Sequence, residues 1–209
     1  MFDNLTETEE KIIHTSLESF FRYGLRSVSM DDLSRKLGIS KKTLYQSVAN
    51  KKDLINKVIG YQLHMERQVL EALPRISNDA MHEMVQLSEH IIEHFSDIAP
   101  SLIHDLQKYY PELWEQVIDF QTIDLKNRIE TNIRRGQKES FYRKNLDPDV
   151  IAKLYVGMCF VVDEESVFPT KEYDRTHVIG EVIMYHMQGI LSKEGREHTK
   201  DFKFFQIAS

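Results

Sequence analysis

Apolar residues recur at helical spacing from near the start of the chain. Ile12, Ile13, Leu17, Phe20 and Phe21 fall on one side of a helix, with polar residues between them. Gly24 follows as a stop signal. Ser29 caps a second helix, with Asp32 three residues on completing a capping-box pattern, and Met30, Leu33 and Leu37 form its buried side before Gly38 ends it. Ser40 caps a short third helix over residues 41–47. Asn50 caps a fourth, with Asp53 in its first turn, which runs to about Leu73 where Pro74 closes it.

Beyond Pro74 the predicted helices lengthen. One covers about residues 78–98 and ends at Pro100. A short one spans 101–109. Pro111 starts the next, running to about Gln137 and broken at Gly136. Pro148 opens another, to about Phe168, with Pro169 as its end, and the last covers about 173–192. Strand-type alternation is nowhere sustained, and no 20–50-residue repeat or low-complexity segment is present. The expected fold is all-α: a three-helix head over residues 1–58, joined through the fourth helix to a larger helical bundle over 59–209.

The chain has 209 residues, 41% apolar and 29% charged, ordinary for a globular protein with a sizeable core. Cys159 is its single cysteine, so no intrachain disulfide framework exists. The opening MFDNLTETEEK lacks a signal-peptide pattern, and the longest apolar run, residues 155–162, is far too short to span a bilayer. A cytoplasmic location is expected. Net charge is −6, which by itself argues against nucleic acid. The distribution argues the other way. Residues 22–57 hold nine Lys or Arg against three acids, whereas 61–209 hold 17 basic and 25 acidic side chains. A basic contact module on an acidic body fits that asymmetry.

The basic module has a particular form. Lys41 and Lys42 stand in the first turn of the third helix, where the helix dipole disfavours positive charge. A polyanion against that turn reverses the sign of the cost. Helix, three-residue turn and second helix have the lengths of a DNA-reading helix-turn-helix. Ile39 and Leu44 point toward Leu33 and Leu37, and Val48 continues the face of Leu44. The opposite face pairs Lys41 with Tyr45 and Lys42 with Gln46 at i, i+4, a cationic, hydrogen-bonding surface of major-groove width. The helix starts at Ser29 and Asn50 offer backbone N–H groups as anion sites.

Residues 9–58 resemble the N-terminal DNA-binding domain of TetR-family transcriptional regulators. The resemblance rests on Phe20 with Gly24, on SMDDL from Ser29, on LGIS from Leu37, on TLY from Thr43 and on NKKDL from Asn50. Val48, Ser34 and Val28 depart from common family choices without removing a DNA-facing group. The resemblance implies a homodimer with its two heads in successive major grooves of a palindromic operator, and a body that binds a small-molecule effector. It places Lys41, Lys42, Tyr45 and Gln46 at base contacts, and Ser29, Thr43 and Lys51 at phosphates. It also implies a ligand-responsive repressor. The helices at 148–168 and 173–192 carry more apolar residues than one buried stripe needs. By the resemblance they form a dimer seam through Leu154, Gly157, Val161, Ile179, Gly180 and Ile183. Effector-pocket candidates are Phe95, Ile103, Trp114, Phe120, Tyr155 and Met158, with Met84 and Tyr109 also on the helices concerned.

One rival constellation is present. His90, Glu93 and His94 fit the H-x-x-E-H pattern of inverted zinc peptidases, which sets two ligands and a base on one helical turn. No third ligand is evident and such peptidases use mixed α/β folds, so the alternative to a regulator is a helical metal-binding protein or a zinc peptidase using these three residues. A Gly-rich phosphate loop, a G-x-S-x-G elbow and a nucleophilic cysteine context are all missing. The expectation is a non-enzyme without metal or cofactor, whose partners are operator DNA, a second copy of itself and a small molecule.

Overall fold

The computed structural model describes residue 2, residues 5–199 and residues 202 and 204, with only the backbone given for 95–97. Its helices are α1 (Glu7–Tyr23), α2 (Met30–Leu37), α3 (Lys41–Ser47), α4 (Lys51–Ile76), α5 (Ala80–Asp97), α6 (Pro100–Tyr109), α7 (Pro111–Asp119), a π-helical segment (Phe120–Leu125), α8 (Lys126–Lys138), α9 (Pro148–Val162), α10 (Arg175–Ile190) and the short α11 (Lys193–His198). Among the described residues there is no sheet, only an isolated antiparallel bridge between Tyr142 and Leu191. The fold is all-α, an N-terminal helical head joined by long α4 to a larger helical bundle. No described helix is long and apolar enough to cross a membrane.

The local signals of the head act as the sequence predicts. Ser29 accepts the Asp32 N–H at 3.1 Å while Asp32 takes the Ser29 N–H at 3.1 Å, a reciprocal cap. Ser40 accepts the Thr43 N–H at 3.0 Å, and Asn50 accepts that of Asp53 at 2.9 Å. Gly38 closes α2 in the left-handed region, at φ 67°.

Packing groups the chain into two compact units. The first comprises residues 1–68 with 97–118, the second 69–96 with 119–209. The first therefore includes α6 as well as the helix-turn-helix segment. Its core holds Ile12, Phe20, Leu25, Leu33, Leu44, Leu54, Ile55 and Val58, all nearly inaccessible to solvent. Helix α6 seats on the turn after α1. The Ala99 N–H donates to Phe21 O at 2.8 Å, and the Arg26 N–H donates to the buried Asp105 carboxylate at 3.0 Å. Gly24 sits at φ 81°, and a Cβ there would lie 2.7 Å from Ser101 Oγ. Both backbone angle and space demand glycine.

The second unit is organised around one buried carboxylate. Glu83, 1% exposed, forms an ion pair with Arg128, whose Nε lies 3.0 Å away, and accepts a hydrogen bond from Arg135 Nη1 at 3.0 Å. Beside it the Tyr142 hydroxyl donates to Ala80 O at 3.0 Å, and the Asn132 amide donates to the same oxygen at 2.9 Å. Such a group is tolerable in a core only with its partners in place.

Three predicted boundaries move. Helix α4 does not stop before Pro74 but runs to Ile76. Proline in the last turn forfeits one hydrogen bond, and Leu73 O is still taken by the Ser77 N–H at 3.1 Å and the Ser77 hydroxyl at 2.6 Å. Gly136 does not break α8. It makes room for a ring, because a Cβ would lie 2.1 Å from Tyr142 Cδ2. Helix α9 ends at Val162 rather than near Phe168, where Asp163 turns away to accept Arg175 Nε at 2.8 Å. The single helix predicted over 111–137 is a continuous helical run to Lys138, with a π-helical segment in its middle.

His186 on α10 is 4% exposed, and burial pulls its pKa from 6.5 to about 4. The folded chain thus refuses a proton that the unfolded chain accepts between those two values, so stability falls as pH drops through that window. The expected loss from this group is about 3 kcal/mol by pH 4. Denaturant midpoints from pH 7 to 4 should show that slope, and His186→Phe should flatten it.

Candidate nucleic-acid interface

Helix α3 has seven residues, too few to persist unaided, so its position is imposed by packing. Leu44 is its one fully buried residue. With Val48 just beyond the helix, it joins Leu33, Leu37, Leu54 and Ile55 in the head's core, all of them buried. Burying Leu44 turns the other face outward. Lys41, Lys42, Tyr45 and Gln46 are all exposed, Tyr45 by 48%. The four predicted base-contact residues therefore share one solvent-facing surface.

Lys41 is not isolated on that surface. Its Nζ meets Asp31 Oδ1 of α2 at 2.6 Å, with 58% of the lysine side chain still exposed. A pair so exposed is worth at most about 1 kcal/mol, so a polyanion competes for the ammonium at little cost. Lys42 has no carboxylate within ion-pair distance among the described residues.

The predicted phosphate contacts occupy three different situations. The Ser29 hydroxyl accepts the Asp32 N–H and also donates to the Asp32 carboxylate at 2.5 Å, so both of its roles are in use. That hydroxyl contact, with the Ser29 N–H, holds the Asp32 carboxyl below its ordinary range. Thr43 is half-buried, its hydroxyl 2.9 Å from that of Ser40. Lys51 is half-buried at the start of α4, with Nζ donating to Arg26 O at 3.4 Å. Burial lowers its pKa, and the nearby Asp105 carboxylate works against that shift. Arg26 stacks on Tyr109 of α6, its guanidinium carbon 4.7 Å from the ring centre, and Nη1 donates to the Tyr109 hydroxyl at 2.9 Å. Sequence reasoning missed Asp31, Arg26 and Asp105. The last two lie 79 residues apart, beyond any local periodicity.

The residues predicted for a dimer seam divide in two. Leu154, Gly157 and Val161 are exposed on α9, in line with exposed Val150 at helical spacing. Ile179 and Ile183 of α10 differ from these three. Both are fully buried in the chain's own core, so they pack the bundle. Gly180 is half-exposed, and the outward face of α10 is marked instead by Tyr185, 74% exposed.

Of the effector-pocket candidates, the side chain of Phe95 lies outside the described residues. Ile103 and Trp114 are half-buried in the first unit. Phe120, Tyr155 and Met158 belong to the second, with Tyr155 fully buried and the other two partly so. Met84 is core. His90 and His94 stack on one face of α5 with ring centres 6.4 Å apart. Among the described residues no group of three or more His, Cys, Asp or Glu could hold a metal ion, so the zinc-peptidase alternative gains no support.

Stability separates the anchor from the surface pair. Leu44→Ala should cost about 2–5 kcal/mol in chemical denaturation, whereas Asp31→Asn should change stability by less than about 1 kcal/mol.

Comparison with known proteins agrees with this geometry. Residues 12–58 match the family model described as bacterial regulatory proteins, tetR family. The helix-turn-helix-type transcriptional regulator YvaF of Bacillus subtilis (strain 168) is 23% identical over 181 residues, covering 83% of this chain and 90% of that protein. A transcriptional regulator from Cytophaga hutchinsonii superposes with a TM-score of 0.69 at 18% identity, over 88% of this chain and 98% of its own. One from Saccharomonospora viridis, solved in complex with choline, does so with a TM-score of 0.70 at 19% identity, over 90% and 100%. Residues 12–58 thus match the tetR-family model, and the chain as a whole shares the fold of these solved transcriptional regulators.

Proposed function

We propose that the protein is a ligand-responsive transcriptional regulator, a repressor that leaves a palindromic operator when a small molecule binds. The observation that carries the reading is the outward face of α3, where two lysines, a tyrosine and a glutamine stand exposed around a single buried leucine. Lys41, Lys42, Tyr45 and Gln46 take the base edges, and Ser29, Thr43 and Lys51 the phosphates. Phosphate contacts set affinity and register, and the groove-facing side chains set sequence choice. With its hydroxyl engaged by Asp32, Ser29 serves a phosphate best through the free N–H groups of the first turn of α2.

In this reading residues 1–58 are the DNA-binding domain and 59–209 the effector-binding and dimerisation domain. The apolar row Val150, Leu154, Gly157 and Val161 on α9 supports a twofold dimer. A Cβ on Gly157 would meet no atom within 4 Å, so the row leaves space there for close helix approach. Choline bound to the Saccharomonospora viridis regulator supports a small-molecule effector. The effector must bind the DNA-free conformation more tightly, and helix α4, which runs from the first unit into the second, carries the shift to the heads.

Selection from random duplex DNA tests this reading. The enriched sequences should be palindromes with half-sites about one helical turn apart or slightly more. Lys51→Ala should weaken all sequences about equally, while substitution of Lys41 or Gln46 should shift preference within each half-site, by about 1–3 kcal/mol per lost base contact. No enrichment at low salt would defeat the proposal.

A further inference from the structure

The second unit buries polar groups that the protein itself does not satisfy. Tyr155 on α9 is inaccessible to solvent and its hydroxyl has no hydrogen-bond partner. The Cys159 thiol, one turn along, is its neighbour and offers it at most a weak sulfur contact. His186 on α10 packs against the same ring, centres 4.5 Å apart, and its Nε2 is likewise buried and unpartnered. A third such atom, Gln121 Oε1, lies on the π-helical segment, which packs against α9. Each orphaned buried group forfeits its hydration without compensation, and two of these lie in contact on adjacent helices. π-helical insertions are themselves concentrated at functional sites.

Resting on the regulator reading, we infer that Tyr155, His186 and Gln121 are the polar contacts of the effector site, and that the effector is an uncharged, mainly apolar molecule bearing a hydroxyl or N–H. The class follows from what the site offers. Gln121 Oε1 only accepts, so the ligand must donate. Burial keeps the tyrosine hydroxyl and the cysteine thiol protonated and the imidazole neutral, so none of them supplies a countercharge. Asp163, the carboxylate next along α9, is already matched by Arg175. A cation or anion placed there would be buried without a partner, which low-dielectric surroundings strongly disfavour. The surroundings are apolar: Phe120, next to Gln121, packs against the core, and Met158 on α9 is partly buried.

The test is calorimetric titration of the full chain, without DNA, using 2-naphthol as a neutral probe against 2-naphthoate and choline as charged ones. Saturable binding of 2-naphthol is expected, at least about tenfold tighter than either charged probe. Tyr155→Phe and His186→Phe should each weaken it about tenfold, as expected for loss of one buried hydrogen bond, and His186→Gln should keep most of the affinity. Circular dichroism checks each variant's fold, and Tyr155→Phe, which removes one oxygen, serves if the histidine variants unfold. Absence of naphthol binding, equal binding of a charged probe, or indifference to Tyr155→Phe would overturn the inference. Because DNA is absent from this titration, its failure is distinguishable from failure of operator selection.

Discussion

Burial of Leu44 is the constraint on which the DNA-facing surface depends. A seven-residue helix has almost no stability of its own, so its orientation is whatever its one buried side chain imposes. With Leu44 fixed beside Leu33 and Leu37, residues 41, 42, 45 and 46 have nowhere to point but outward. The capping serines then fix where each helix begins, and the left-handed Gly38 fixes the turn between them. The reading surface is a consequence of packing, and the lysines at the helix start are tolerated because the same packing holds the helix against its own dipole.

A second layer of organisation ties this head to residues far along the chain. Helix α6 reaches the turn after α1 through Asp105, Ala99 and Tyr109, and Gly24 is the close-approach point that permits it. Asp105 also faces Lys51 electrostatically, so a cation proposed to hold phosphate shares its environment with a carboxylate on α6. The contact module and the helix docked on it are thus one packing unit.

Local chemistry made the head legible in sequence: each cap and stop signal from Gly24 to Asp53 acts within a few residues of where it stands. The body was less legible, because its signals are decided by distant partners. Gly136 looks like a helix stop but is a seat for Tyr142. Pro74 looks like an end, yet Ser77 satisfies the carbonyl that keeps the turn together. The surplus apolar residues of α10 suggested an outward face for Ile179 and Ile183, but periodicity cannot say which of two apolar faces a neighbouring helix covers. Tyr155 stood among the pocket candidates in sequence, but His186 and Gln121 gave no pattern, since what the three share is a buried polar atom without a partner.

The central claim is that the outward face of α3 lies in the major groove. Methylation interference on a selected operator measures this most directly, because guanine N7 lies in the major groove and adenine N3 in the minor. Interference at guanine N7 in two half-sites related by a dyad, with one position lost from each half-site in Lys41→Ala, is the predicted result. Interference confined to adenine N3, or a pattern unchanged by substitutions throughout α3, would contradict it.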